Sequence, residues 1–89
     1  MLEFDGFDWD AGNWPKCGKH GVEQDEIEAA FRSASVRILR VKAGAEGRWM
    51  LVAFNRARWI NVVYTWRGQL IRPISARHMH AREALRYVT

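Results

Sequence analysis

The chain has 89 residues, 48% of them hydrophobic and 27% charged, with one cysteine and a formal net charge of +4. A chain of this length supports one small core, so residues 1–89 are expected to form a single domain, and the composition lacks the long polar tracts of a disordered protein. One cysteine makes no internal disulfide, the opening MLEFDGFDWD is acidic where a signal peptide is basic, and the apolar runs fall far short of the roughly 20 residues that span a bilayer, so a cytoplasmic protein with no membrane segment is expected.

In chain order, FDGFDWD followed by GNWPKCGKHG predicts a brief strand and then at most a short helix, because its glycines and Pro15 break regular structure. From Glu23 onward, Glu23, Asp25, Glu26 and Glu28 crowd a first helical turn, where the macrodipole favours acids, and Ile27, Ala30 and Phe31 form an apolar stripe. This predicts a helix over 24–32. The period then changes to two. SVRILRV at 35–41, RWMLVAF at 48–54, WINVVYTW at 59–66 and LIRPISA at 70–76 are rich in β-branched and aromatic residues and are separated by AGAEG, NRAR and RGQ. They predict a four-stranded antiparallel meander whose second and third strands, being almost continuously apolar, are central and covered on both faces. Pro73 lacks a ladder donor, so the last strand is expected to be an edge there or to bulge. Over 80–89, Ala81, Ala84, Leu85 and Val88 recur at helical spacing and predict a closing amphipathic helix packed on the sheet.

The charge is divided along the chain. Residues 1–30 hold eight acids and two lysines, a net −6, whereas residues 31–89 hold twelve bases, eleven of them Arg, against Glu46 and Glu83, a net +10. Arg in this number suits phosphates, because guanidinium stays charged and presents two parallel donors. A solvated sheet face tied by ion pairs to the acidic half explains the same composition.

Cys17 and His20 at C-x-x-H, with His78 and His80 at H-x-H, have the spacing and number of a structural zinc site, although nothing in the sequence brings the two pairs together. Trp9, Trp14 and Trp66 near segment ends either stack on unpaired bases or, as is commoner in small domains, fill the core. No phosphate-binding Gly loop, nucleophile elbow or dinucleotide fingerprint is present. What remains is Lys19 and His20 before the first helix, and Arg48, Arg67, Arg72 and Arg77 on or beside strands. Such a set can cleave RNA, whose own 2′-hydroxyl is the nucleophile, by supplying a proton acceptor, a proton donor and cations around the phosphorane. Arg48 and Arg77 are expected at one sheet edge, while His20 has the side chain that titrates near neutrality, unless it only caps the helix or fills the core. Lys19, Tyr64 and Glu83 are substitutes for the proton-transfer role. Arg72 and Arg77 lie five positions apart, so they share a face only if Pro73 marks a bulge or the strand has ended by Arg77.

The order of these pieces resembles a known family. The run containing Trp9, Asp10, Asn13, Lys19, His20, Gly21 and Val22, and the run containing Arg72, Ile74, Ser75, Ala76, Arg77, Arg82, Glu83 and Tyr87, are similar to motifs of BrnT toxins, a resemblance covering residues 7–87. It implies an α+β, RelE-like domain in which a four-stranded antiparallel sheet carries N-terminal helices and a C-terminal helix. It also implies a ribonuclease that halts translation. Together with the reading of the residues, this gives an expected enzyme without cofactor or metal, with Arg48, Arg77 and His20 as catalytic residues, Lys19, Tyr64 and Glu83 as substitutes for the proton-transfer role, and Arg67, Arg72, Arg82 and Arg86 as RNA contacts. Its implied partner is a BrnA-like ribbon-helix-helix antitoxin, two toxins with two antitoxins, which alone contacts operator DNA. In the family motif His20 is a member, whereas Cys17, His78 and His80 fall outside it, which speaks against zinc. The chain departs from the pattern at Pro73, His78 and Phe54-Asn55. A non-catalytic RNA- or protein-binding module of the same fold, and a zinc-stabilised interaction domain, are the alternatives.

Overall fold

The computed structural model describes residues 2–33, 36–41 and 47–88. Ser35, residues 43–46 of the AGAEG connection and Thr89 lie outside them. The period-two runs form strands β2 (Val36–Arg40), β3 (Trp49–Asn55), β4 (Arg58–Arg67) and β5 (Leu70–Met79), each antiparallel to the next. The expected meander is therefore present, but it is not the whole sheet. A fifth strand, β1 (Gly6–Phe7), pairs in parallel with the start of β5, Gly6 opposite Leu70 and Phe7 opposite Ile71. Among the described residues this makes a mixed five-stranded sheet of order β1-β5-β4-β3-β2, which corrects the four-stranded antiparallel expectation. Backbone bonds from the Asp5 amide to the Gln69 carbonyl (2.9 Å) and from the Asp8 amide to the Ile71 carbonyl (2.8 Å) hold the short β1 in place. β1 is the brief strand expected within FDGFDWD, but two residues carry no readable period, so only tertiary pairing shows its partner and direction.

Cross-strand register assigns each side chain to a face, because alternate residues of a strand point to opposite sides. One face carries Leu51, Ala53, Ile60, Val62, Tyr64, Ile71 and Ala76, all buried, and receives α1 (Gln24–Phe31). The stripe read from the sequence is the one used: Ile27, Ala30 and Phe31 all enter this core, along with Cys17 and Val22 from the segment before the helix. Full burial of each such side chain contributes about 1.5–3 kcal/mol. The tryptophans at 9, 14, 49 and 66 pack against the same cluster, so they supply core area rather than free stacking platforms. The other face carries Leu39, Met50, Val52, Trp59 and Met79, over which the closing helix α2 (Ala81–Val88) places Ala84, Tyr87 and Val88. This satisfies the prediction of an amphipathic helix docked on the sheet.

Pro73 is buried inside β5, and the ladder bulges around it. Val63 pairs with Ser75 but Tyr64 pairs with Pro73, so Ile74 is the extra residue. The bulge places the residue without an N–H where the ladder is already interrupted. It also resets the parity of the strand. Arg72 pairs with Thr65 and Arg77 with Asn61, and since Thr65 and Asn61 are four apart on β4, the two arginines share the α2 face. β5 continues to Met79, three residues beyond its expected end, so Arg77 lies inside the strand and not at its terminus.

At the β3–β4 hairpin the two turn residues Arg56 (φ 53°) and Ala57 (φ 61°) both adopt left-handed backbone, between the paired Asn55 and Arg58. This is the hairpin geometry that usually selects Asn-Gly.

Candidate functional site

The closing helix packs over Leu39, Met50, Val52, Trp59 and Met79, and its first turn comes back beside β5. There Arg77 projects from β5 toward the first turn of α2. Its two terminal nitrogens donate to the two carboxylate oxygens of Glu83, at 3.1 and 2.5 Å. The pair is only partly covered, with the Arg77 and Glu83 side chains 45% and 32% exposed. The hydrogen bond from Arg77 holds the Glu83 carboxyl below its ordinary range, and the same bond raises the Arg77 guanidinium, so both are charged at neutral pH. A strand residue and a helix residue six positions apart thus present a fixed cation and a carboxylate to one patch of solvent.

The remaining candidates divide sharply. Arg72 shares this face, but its donors are committed to Asp10 (3.0 and 3.1 Å) and Asp8 (3.3 Å), with the side chain 13% exposed. It acts as a tether for the N-terminal segment, its guanidinium held by two carboxylates. Asn13 strengthens the tether: its Nδ2 donates to the Asp8 and Pro73 carbonyls, both at 2.9 Å, and its Oδ1 accepts from the Asp10 amide at 2.8 Å. Gly12 lies close by: a Cβ there would stand 2.9 Å from the Arg72 guanidinium. Arg67 reaches Asp8 at 3.5 Å but stays largely exposed, and Arg82 and Arg86 are exposed on α2. Arg48 directly precedes Trp49, the partner of Tyr64, so it stands near the level of Thr65 and Arg72. Along β4 that is four residues, about 13 Å, from the Asn61–Arg77 pair. Arg48 and Arg77 are therefore not neighbours at one sheet edge, and that expectation is corrected.

Tyr64 is 1% exposed, with its ring against Phe31 and Trp66, and burial pushes its phenol up to about 12. It is a core residue and not a proton donor for a substrate, since its strand position turns it to the α1 face. Lys19 and His20 are exposed in the loop after a single 3-10 turn, Lys16–Gly18, that packs on β5. Among the described residues neither side chain makes a hydrogen bond or ion pair, and neither touches the Arg77–Glu83 pair by such a bond. Gly21 follows them in left-handed backbone (φ 86°), turning the chain toward α1.

The four zinc candidates are dispersed. Cys17 is 1% exposed in the core, where desolvation raises its thiol to about 11. His78 turns to the α1 face, its Nε2 2.7 Å from the buried Glu26 carboxylate. Among the described residues no group of three or more His, Cys, Asp or Glu side chains is placed to hold a metal ion. The sequence reading missed the surface beside the hairpin, where Phe54 is 42% exposed next to Arg58, Trp59 and His80. Its available signal was an aromatic followed directly by the NRAR turn.

Comparison with known proteins decides the family. The family model described as ribonuclease toxin, BrnT, of type II toxin-antitoxin system matches residues 9–83. The chain belongs to the BrnT family. No curated protein and no solved structure matches it. As a BrnT protein it falls among ribonuclease toxins, and a type II system implies an antitoxin partner. The structure separates the two BrnT motif runs by role. Trp9, whose indole donates to Glu28 at 2.8 Å, together with Asp10 and Asn13, builds the N-terminal scaffold, whereas Arg77 and Glu83 form the exposed pair. No helix among the described residues is long and apolar enough to cross a membrane.

Proposed function

We propose that this BrnT chain is a metal-independent endoribonuclease that cuts RNA at the Arg77–Glu83 pair and thereby halts translation. The observation that carries the reading is the bidentate pair itself, partly open to solvent where the first turn of α2 meets β5. Glu83, ionised at neutral pH, accepts the proton of the substrate 2′-hydroxyl as that oxygen attacks phosphorus. The P–O5′ bond breaks, a proton passes to the leaving 5′-oxygen, and the products end in a 2′,3′-cyclic phosphate and a 5′-hydroxyl. Arg77 stabilises the charge gathering on the non-bridging oxygens. The leaving oxygen takes its proton from solvent, because His20 and Lys19 sit in the loop between Cys17 and Val22, which pack on the opposite, α1 face. Arg67, Arg82, Arg86 and Arg48 attract the flanking phosphates, with no role for Tyr64.

The fold is a RelE-like domain with an added edge strand, acting as a single unit in the cytoplasm. A BrnA-like ribbon-helix-helix antitoxin covers the cationic face in a complex of two toxins and two antitoxins. Operator DNA is bound through the antitoxin, because α2 is docked on the sheet through Ala84 and is not free to enter a groove. The test is to incubate antitoxin-free protein with a long unstructured RNA and with the same RNA carrying 2′-O-methyl groups. Cleavage of the first alone, giving cyclic phosphate ends, supports the reading. Folded wild-type protein that binds RNA without cutting it would instead support the non-catalytic module.

A further inference from the structure

Beyond the Arg77–Glu83 pair, the same face of the sheet continues into a second feature. The next row after Asn61 and Arg77 is Phe54, Trp59 and Met79, in cross-strand register. Met79 is two residues from Arg77, about 7 Å along the strand. Phe54 and Trp59 meet edge to face, with centroids 5.2 Å apart, and form the wall of an open groove that Arg58, His78, Met79 and His80 complete. Phe54 is among the few large apolar side chains left exposed, and it sits at the shoulder of the strained Arg56-Ala57 turn. His80 lines this groove and also the adjoining recess that contains Arg82, Glu83 and Arg86. The groove and the Arg77–Glu83 pair are thus one continuous surface.

We propose that this groove is a subsite for one unpaired nucleotide of the RNA, next to the nucleotide whose phosphate Arg77 holds. The proposal rests on the cleavage-site reading and adds the binding position that reading lacks. Aromatic side chains offer a base a stacking surface that tolerates any sequence, and an adjacent cation holds its phosphate. Phe54 and Trp59 take the base, while the exposed His80 faces the phosphate. Arg58, the cross-strand partner of Asn55, turns instead to the α1 face, where its guanidinium lies 3.4 Å from His78 Nε2. A protein segment would also find an aromatic and cationic groove acceptable, but continuity with the Arg77–Glu83 surface through His80 favours a ligand that runs from one to the other, as a nucleic acid strand does.

The test uses Phe54→Ala and His80→Gln, both at exposed positions, with folding checked by far-UV circular dichroism. The probe is a short, fluorescently labelled, unpaired RNA with 2′-O-methyl groups, which has no attacking hydroxyl, and affinity is read by anisotropy. Each variant should weaken probe binding about tenfold, the scale of one lost base stack, and raise the KM for cleavage more than it lowers kcat. Wild-type affinity in both variants overturns the proposal, as does loss of antitoxin capture with RNA affinity retained. Wild-type protein whose probe binding depends on these residues but which cuts no RNA leaves the subsite standing and removes the cleavage reading. If wild type binds no probe, both fall.

Discussion

Arg72 and Arg77 face the same side of the sheet although five positions separate them, because the bulge at Ile74 absorbs one residue between them. Their environments nevertheless differ: Arg72 is enclosed by Asp8 and Asp10, while Arg77 meets Glu83 in the open. Their substitution should therefore have different consequences. Arg72→Met should lower the melting midpoint by several degrees and expose residues 2–13 to proteolysis, with RNA affinity changed less than by the loss of a phosphate contact. The effect has a pH signature. Asp10 is held below its ordinary value of 3.8, chiefly by the Arg72 hydrogen bond. A carboxyl depressed on folding contributes stability above its unfolded value and loses it as pH falls through the folded one. The gap in stability between wild type and Arg72→Met should therefore close below pH 3.8, as melting curves across that range will show.

Tyr64 tests the boundary between core and site. Tyr64→Phe keeps the ring contacts with Phe31 and Trp66 and should leave the RNA cleavage rate close to wild type. Tyr64→Ala removes them and should cost about 3–5 kcal/mol in urea unfolding, as truncation of a buried aromatic does. A large rate loss in folded Tyr64→Phe would return the phenol to the mechanism.

The hairpin offers a stabilising change. Ala57 holds φ at 61°. Left-handed backbone costs an L-residue about 1–2 kcal/mol, part of which Gly recovers after its own larger unfolded-state entropy is counted. Ala57→Gly should raise stability by roughly 0.5–1 kcal/mol, measured by the shift of the urea midpoint at constant slope.

Chelator should leave the melting curve of the purified chain unchanged. Cys17 lies inside the core with its thiol pushed up to about 11, so at neutral pH it is protonated and enclosed, the reverse of a metal-bound thiolate. One tightly held zinc per chain, with unfolding on its removal, would contradict this.

The helices and the four long strands were legible because burial imposes a helical period on Ile27, Ala30 and Phe31 and a continuous apolar run on Leu51, Val52 and Ala53. The pairing of Gly6 and Phe7 with β5 was not, since a two-residue strand is defined by its partner alone. Pro73 signalled a bulge, and the bulge explains how Arg72 and Arg77 share a face. The site was harder to read. Composition marked the arginines as phosphate ligands without distinguishing one held by two carboxylates from one left open, a difference set by Asp8 and Asp10, more than 60 residues away from Arg72. Tyr64 was a candidate for proton transfer because its phenol is a titratable group, but strand parity turns it to the α1 core, where it is 1% exposed. The Phe54–Trp59 groove escaped notice because a strand end rich in aromatics is normally core, and exposure there depends on where α2 stops covering the sheet.

The most direct measurement is single-turnover cleavage of a long unstructured RNA by antitoxin-free wild type, Arg77→Ala and Glu83→Gln, with far-UV circular dichroism confirming that all three are folded. Loss of a group that stabilises transition-state charge or takes the proton costs about a hundredfold or more in rate, and each variant should show a loss of that size. Folded Arg77→Ala and Glu83→Gln proteins that both cut at the wild-type rate would contradict the assignment of cleavage to this pair.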